Sequence, residues 1–292
     1  MAVYALENGK IRIGVESHGA ELRSLKDNKN TEYMWSGDPA YWGRVSPVLF
    51  PFVGKTNGLT FRTQGRAFPM TQHGFARDME FALLSQTDTE LWLSLDSDGE
   101  TLEKYPYAFR LELGYRLEND ALRVLWRVKN PADVPLPFSI GGHPAFVCPL
   151  RPDDDQEQYF LHFDASALSV TQINTQGLAQ PERVPLALED GYLPIDAHLF
   201  DHDALVIEGN QSHAVSLCTP NKKPYLTVTF DAPLFGVWSP VGKHAPFVCI
   251  EPWYGRCDAE GFAGELTERE WGNVLPAGGV FEASYVIRPC ID

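Results

Sequence analysis

Apolar and polar residues alternate with a period of two in short runs along the whole chain. Ile11-Arg12-Ile13-Gly14-Val15, Leu91-Trp92-Leu93-Ser94-Leu95, Leu122-Arg123-Val124-Leu125-Trp126-Arg127-Val128 and Tyr225-Leu226-Thr227-Val228-Thr229-Phe230 all follow it. Successive side chains of an extended backbone point to opposite faces, so each run predicts a strand with one buried side. Turn-forming residues separate the runs, at Glu7-Asn8-Gly9, Asp96-Ser97-Asp98-Gly99, Leu117-Glu118-Asn119-Asp120 and Asn130-Pro131-Ala132-Asp133. That cadence predicts a large antiparallel all-β protein. Glycine and proline, 24 and 22 residues spread over the length, leave room only for short helices, expected within 98–105 and 258–270.

A length of 292 residues fits one large β-domain or two ordinary ones. Strand cadence continues on both sides of the acidic, proline-rich segment 149–158, which is therefore expected to be an exposed connection and not a boundary. A single domain over 1–292 is the expectation, with two halves of similar strand content stacking as a double sandwich; no repeat of fixed period is visible. Hydrophobic residues at 44% and charged residues at 22% are ordinary globular values. The formal charge of −15 opposes nucleic-acid and anionic-membrane partners, since no basic stripe exists to replace phosphate counterions. The first ten residues lack a basic region followed by a long apolar stretch, and no segment is apolar for long enough to span a bilayer. Cys148, Cys218, Cys249, Cys257 and Cys290 are odd in number, scattered and free of CxxC spacing. They read as reduced thiols in a cytoplasmic protein, with no metal and no cofactor expected.

Three segments carry the candidate chemistry. Ser139-Ile140-Gly141-Gly142-His143-Pro144-Ala145-Phe146 sets a histidine between two glycines and a proline, which removes side-chain bulk and fixes the backbone around the imidazole. Thr71-Gln72-His73-Gly74-Phe75-Ala76-Arg77-Asp78 offers a second imidazole on a glycine-bearing loop. In Cys249-Ile250-Glu251-Pro252-Trp253-Tyr254-Gly255 a carboxylate ends an apolar run, where it is costly unless paired or used. Burial would raise its proton affinity, and Trp253 beside it offers a face for a sugar ring, whereas pairing with Arg256 is the bland alternative. Arg44 lies in an apolar, proline-broken segment and is suited to donate to vicinal hydroxyls, with Lys55 and Arg77 as weaker candidates. Asp201 and Asp203 offer acceptors for hydroxyls. This inventory fits proton transfer on a polar ring such as a monosaccharide. No G-x-S-x-G elbow, Walker loop or G-x-G-x-x-G turn is present.

Gln72-His73-Gly74-Phe75-Ala76-Arg77, Gly142-His143-Pro144-Ala145-Phe146 and Ile250-Glu251-Pro252-Trp253 resemble, in order and approximate spacing, the three signature segments of the aldose 1-epimerases, or galactose mutarotases. The resemblance covers nearly the full chain and is greatest to the shorter bacterial branch. It implies a single β-supersandwich, galactose mutarotase-like in fold, that interconverts the α and β anomers of a free aldose without a cofactor, as a monomer or homodimer. It further implies Glu251 as general base at the C1 hydroxyl, His143 as general acid at the ring oxygen and His73 as a donor nearby. Arg44 would bind sugar hydroxyls, although its segment departs from the mutarotase pattern, and the family's substrate-binding aspartate falls at Asp201 or Asp203. Two rivals stand beside this: a hexose-6-phosphate epimerase using Arg44, Lys55 and Arg77, which the acidic balance disfavours, and a non-catalytic carbohydrate-binding protein. A glycosidase or lyase would need paired carboxylates, and only Glu251 is well placed.

Overall fold

A computed structural model of the chain describes residues 1–290. Two large antiparallel sheets dominate it. The first has nine strands, in the spatial order Tyr192–Pro194, Phe160–Phe163, Ala214–Cys218, Pro224–Phe230, Val280–Pro289, Ala121–Lys129, Arg110–Glu118, Glu90–Asp96 and Ala82–Gln86. The second runs Ala179–Leu186, Leu168–Ile173, Leu205–Glu208, Leu234–Trp238, Phe247–Tyr254, Ile140–Gly142 and Val48–Leu49, with Ala145–Val147 also on Phe247–Tyr254. A three-stranded sheet of Val3–Glu7, Ile11–Glu16 and Leu22–Asp27 precedes them. The four alternating runs singled out in the sequence all lie in strands.

The nine-stranded sheet shows why alternation works as a signal. Along Ala121–Lys129 the residues Leu122, Val124, Trp126 and Val128 are buried, while Arg123, Arg127 and Lys129 face outward. The outward charges pair across strands, Arg127 with Glu112 at 2.9 Å and Arg123 with Glu118 at 2.8 Å. The inward residues meet the second sheet: Trp126 lies 6.3 Å from Tyr254, and Phe230 lies 5.0 Å from Phe235. One apolar cluster runs from Leu6 to Ile287 through both sheets. Burying a large aliphatic or aromatic side chain contributes about 1.5–3 kcal/mol, so this shared interior is the main source of cohesion.

Phe247–Tyr254 departs from alternation because both its faces are covered, and all its residues but the last are buried. One side packs on the core and the other forms the floor of a cleft. Of the two expected helices, Gly99–Lys104 forms, capped by reciprocal bonds between Asp98 and Thr101. The other does not: within 258–270 the chain makes only the 3₁₀ turn Leu266–Glu268, and Asp258 and Arg269 are spent on a buried ion pair at 2.6 Å. Segment 149–158 is mostly exposed, as expected, and is tied down where the Gln156 amide donates to the carbonyls of Cys148 and Ala245. Among the described residues, no helix is long and apolar enough to cross a membrane.

Candidate active site

A break in the second sheet creates the site. Opposite Phe247–Tyr254, the neighbouring chain pairs as Gly141↔Trp253 before the break and as Ala145↔Cys249 after it. Gly142 and His143 leave this ladder between them, and Pro144, with no amide hydrogen to pair, keeps only its carbonyl on the central strand, accepting from the Ile250 N–H at 3.2 Å. The central strand has its own proline, Pro252, at the same level, so neither chain forfeits a ladder bond it could have made. The backbone N–H of His143 turns instead to the Pro47 carbonyl at 3.1 Å. Gly142 is required by space, because a Cβ there would sit 2.9 Å from the Tyr285 hydroxyl and 3.2 Å from Trp126. The result brings His143 Nε2 to 3.3 Å from Glu251 Oε1, with both residues buried.

His73 reaches the same place from another loop. Its backbone N–H donates to the Gly54 carbonyl at 2.9 Å, and the Gly54 N–H donates to its Nδ1 at 3.1 Å. A neutral imidazole accepting at Nδ1 carries its hydrogen on Nε2, beside the Gln72 amide at 3.1 Å. The backbone at His73 is left-handed, φ 69°, and Gly74 follows at φ 72° with the Phe50 carbonyl so close that a Cβ would lie 2.3 Å from its oxygen. The imidazoles of His73 and His143 meet edge to face at 5.6 Å. Side chains from 41–55, 72–77, 173–177, 201–206, 238–243 and 251–257 surround them and enclose a cleft of about 800 Å³.

Burial sets the protonation of the pair. Desolvation pushes Glu251 well above the usual carboxylate range, and the negative charge of Asp203 adds to it; the Trp253 indole pulls the other way without reaching hydrogen-bond geometry. Desolvation first, and then the Arg77 cation, lowers His143 to about 3. His73 is lowered well below 6.5, again by burial first, then by His143, Arg77, Arg44 and Lys55. Burial thus favours the uncharged form of both members, a protonated glutamate facing a neutral imidazole. Six buried side-chain polar atoms among the described residues lack a hydrogen-bond partner, and four belong to residues lining this cleft: His143 Nδ1, Glu251 Oε2, Arg77 Nε and Trp253 Nε1. Unsatisfied buried atoms are costly, so their concentration here marks a place built for a ligand.

The other candidates are placed as follows. Arg44 lines the cleft but is not free of structural work, since it pairs with Asp78 at 2.7 Å. Arg77 donates to the Gln72 carbonyl at 2.7 Å. Asp201 and Asp203, equivalent in the sequence, separate: Asp201 pairs at the exposed rim with His198 at 2.8 Å, whereas Asp203, at φ 72°, is the one whose charge is felt by Glu251. Trp253 is floor, its ring fitted against Gly141 and Gly236, where added Cβ atoms would lie 2.5 and 2.4 Å from it. Pairing of Glu251 with Arg256 does not occur; Arg256 binds Glu208 and Glu270. Sequence reasoning missed Trp42 and Trp238, which contact the His143 ring, and Asn174 and Thr175 on the far wall. Nothing in their local patterns separates them from ordinary strand-end and loop residues.

His143, Cys249 and Glu251 also place donor atoms within 4.8 Å of one another. The Cys249 thiol is held well above 9.0 by burial first, and then by Glu251, so it is protonated and a poor metal ligand. The donor set suits proton exchange better than holding a cation.

The model of the aldose 1-epimerase family matches residues 2–288, and the chain belongs to that family. It is 32% identical over 280 residues to the plasmid-encoded protein LacX of Lactococcus lactis subsp. lactis, covering 92% of this chain and 90% of that one. A galactose mutarotase related enzyme from Lactobacillus acidophilus superimposes with a TM-score of 0.94 at 32% identity, covering 99% and 98% of the two chains. A galactose mutarotase-like protein from Lactobacillus casei gives 0.92 at 30% identity, covering 98% and 99%. The fold is thus galactose mutarotase-like, as the signature segments implied.

Proposed function

We propose that this chain interconverts the α and β anomers of a free aldose, with Glu251 and His143 exchanging protons at the anomeric oxygen and the ring oxygen. The observation that carries the reading is the 3.3 Å contact between a buried imidazole and a buried carboxyl on the floor of a cleft roomy enough for a monosaccharide. From the resting state, the Glu251 proton crosses to His143 Nε2. The carboxylate then takes the C1 hydroxyl proton while the imidazolium gives its proton to the ring oxygen, the C1–O bond to that oxygen breaks, and the open aldehyde forms. Glu251 is again protonated and His143 neutral. Rotation about C1–C2 and the same steps in reverse close the other anomer. Because each half-reaction restores the starting protonation state, the pair serves both directions equally, as an equilibrating catalyst must. His73 Nε2–H supports the ring oxygen, and Asp203 and Arg44 hold hydroxyls. No step calls on a cofactor. The cluster running from Leu6 to Ile287 supports treating the chain as one domain.

One observation favours a second reading. Arg44, Lys55 and Arg77 all act on His73, so this end of the cleft is cationic although the whole chain is strongly acidic. Such a cluster would hold the phosphate of a hexose 6-phosphate. Polarimetry and NMR exchange on α-glucose, α-galactose and glucose 6-phosphate decide. Accelerated anomerisation of a free sugar is the expected outcome; acceleration of the phosphate alone selects the second reading, and no acceleration of any of them rejects both.

A further inference from the structure

An imidazole that exchanges protons is usually aimed through its second nitrogen, which binds a carboxylate or a backbone carbonyl. His143 lacks a strong brace of this kind: its buried Nδ1 makes no well-formed hydrogen bond, and the nearest backbone acceptor acting on the ring is its own carbonyl. Its plane is set by aromatic rings instead. Trp42 stacks on one face with centroids 4.7 Å apart and planes 28° from parallel, Trp238 meets the ring edge-on at 5.4 Å, and His73 does so at 5.6 Å. Trp42 is itself held in place. Its backbone N–H donates to Asp38 at 2.9 Å, its carbonyl accepts from Trp35 Nε1 at 2.9 Å, and its indole lies between His143 and Phe247, 5.8 Å from the latter.

We propose that Trp42 is the positioning residue of the acid/base pair: it aligns His143 Nε2 with Glu251 Oε1 and excludes water from the imidazole. This rests on the anomerisation reading given above. Stacking fixes the ring plane without engaging either ring nitrogen, so Nε2 stays open to exchange a proton with Glu251. The same indole face attracts the imidazolium formed midway through each half-reaction. The groups that bear on the ring are Glu251 and Cys249 from the central strand, His73 and Arg77 from the 72–77 loop, and Arg44 from the loop that carries Trp42. Of these influences burial is the largest, so opening the ring to water outweighs the loss of the stacking contact.

The test compares Trp42→Leu with Trp42→Phe, reading kcat/KM against pH and, separately, the titration of the His143 ring by nitrogen-resolved NMR. The Leu variant is expected to lose roughly 10²-fold in kcat, the cost of about 1 Å of misplacement, with little change in KM. Its His143 should titrate above the native value of about 3, carrying the acid limb of the rate profile upward with it. Phe, which restores a stacking face, should recover most of both. If the Leu variant does not fold, Trp35→Phe removes the bond to the Trp42 carbonyl without touching His143 and should shift both readouts in the same direction. A folded Leu variant with a native His143 titration and native kcat overturns the proposal. If the wild type anomerises no aldose, the activity reading falls, and the NMR titration still decides the role of Trp42.

Discussion

Two buried clusters of ionisable side chains lie close together in this fold, and they differ in one respect. Arg256, Glu208, Arg269 and Asp258 are each no more than 7% exposed, as are His143 and Glu251. In the first cluster the charges are answered: Arg256 binds Glu208, Glu270 and the Cys257 carbonyl, Arg269 binds Asp258 and the Arg256 carbonyl, and Asp258 also accepts from the Asn57 N–H at 2.8 Å. In the second, one nitrogen and one oxygen face no partner. Burial alone does not distinguish a scaffold from a site. Satisfaction does: a cluster whose partners are all internal holds loops together, and one that leaves atoms unpaired is completed by something from outside.

The sharpest way to break this contrast is Glu251→Gln. Its expected loss is about 10²- to 10⁴-fold in anomerisation rate with sugar binding retained, read by NMR exchange and by titration of the tryptophan fluorescence. Unchanged turnover would remove Glu251 from the mechanism, and its folding behaviour should run opposite to that of a scaffold residue. Because burial raises Glu251 above its ordinary 4.5, the native state binds more protons than the unfolded one above that value. The wild type therefore loses stability as pH rises from 4.5 toward the raised native value. The glutamine variant lacks that slope and should melt higher than the wild type at neutral pH.

Arg256→Ala should do the reverse. It removes the buried partner of Glu208, leaving that carboxylate only the half-exposed Arg183 at 2.8 Å, and is expected to cost about 3 kcal/mol in denaturant unfolding. At temperatures where the variant stays folded, it should leave the pH dependence of the rate unchanged. The smallest effect expected is in the pH profile of the wild type itself. The pair works while it holds one proton, and it gains a second only near the low His143 value of about 3. Thus kcat/KM should not fall on acidification to about pH 5, two units clear of that limb. A fall centred near 6.5 would mean an ordinary, solvated imidazole.

Much of this was legible in the sequence, for reasons that also fix its limits. Ile11–Glu16, Glu90–Asp96 and Ala121–Lys129 announce themselves because one face is wet and the other dry. Phe247–Tyr254 reads as a bare apolar run, and Glu251 stands out in it because a carboxylate there has no cheap explanation. His143 was visible through its glycines and proline, which turn out to mark a gap in a ladder. Trp42 was not, because a tryptophan in a loop carries no sign of which ring it covers. Asp201 and Asp203 share one acidic turn, and only the fold sends one to the rim and the other toward Glu251. The turn or two of helix expected within 258–270 shrinks to the single 3₁₀ turn Leu266–Glu268, in a segment that carries Gly261 and Gly264 and whose ends are held by the buried Asp258–Arg269 pair.

The left-handed backbone at His73 has an evolutionary consequence. A side chain at this φ stores on the order of 1–3 kcal/mol, which glycine would release. Under the proposed anomerisation, that strain is the stability set aside to keep this imidazole at the ring oxygen, and a descendant with no use for it would gain robustness by exchanging it for glycine.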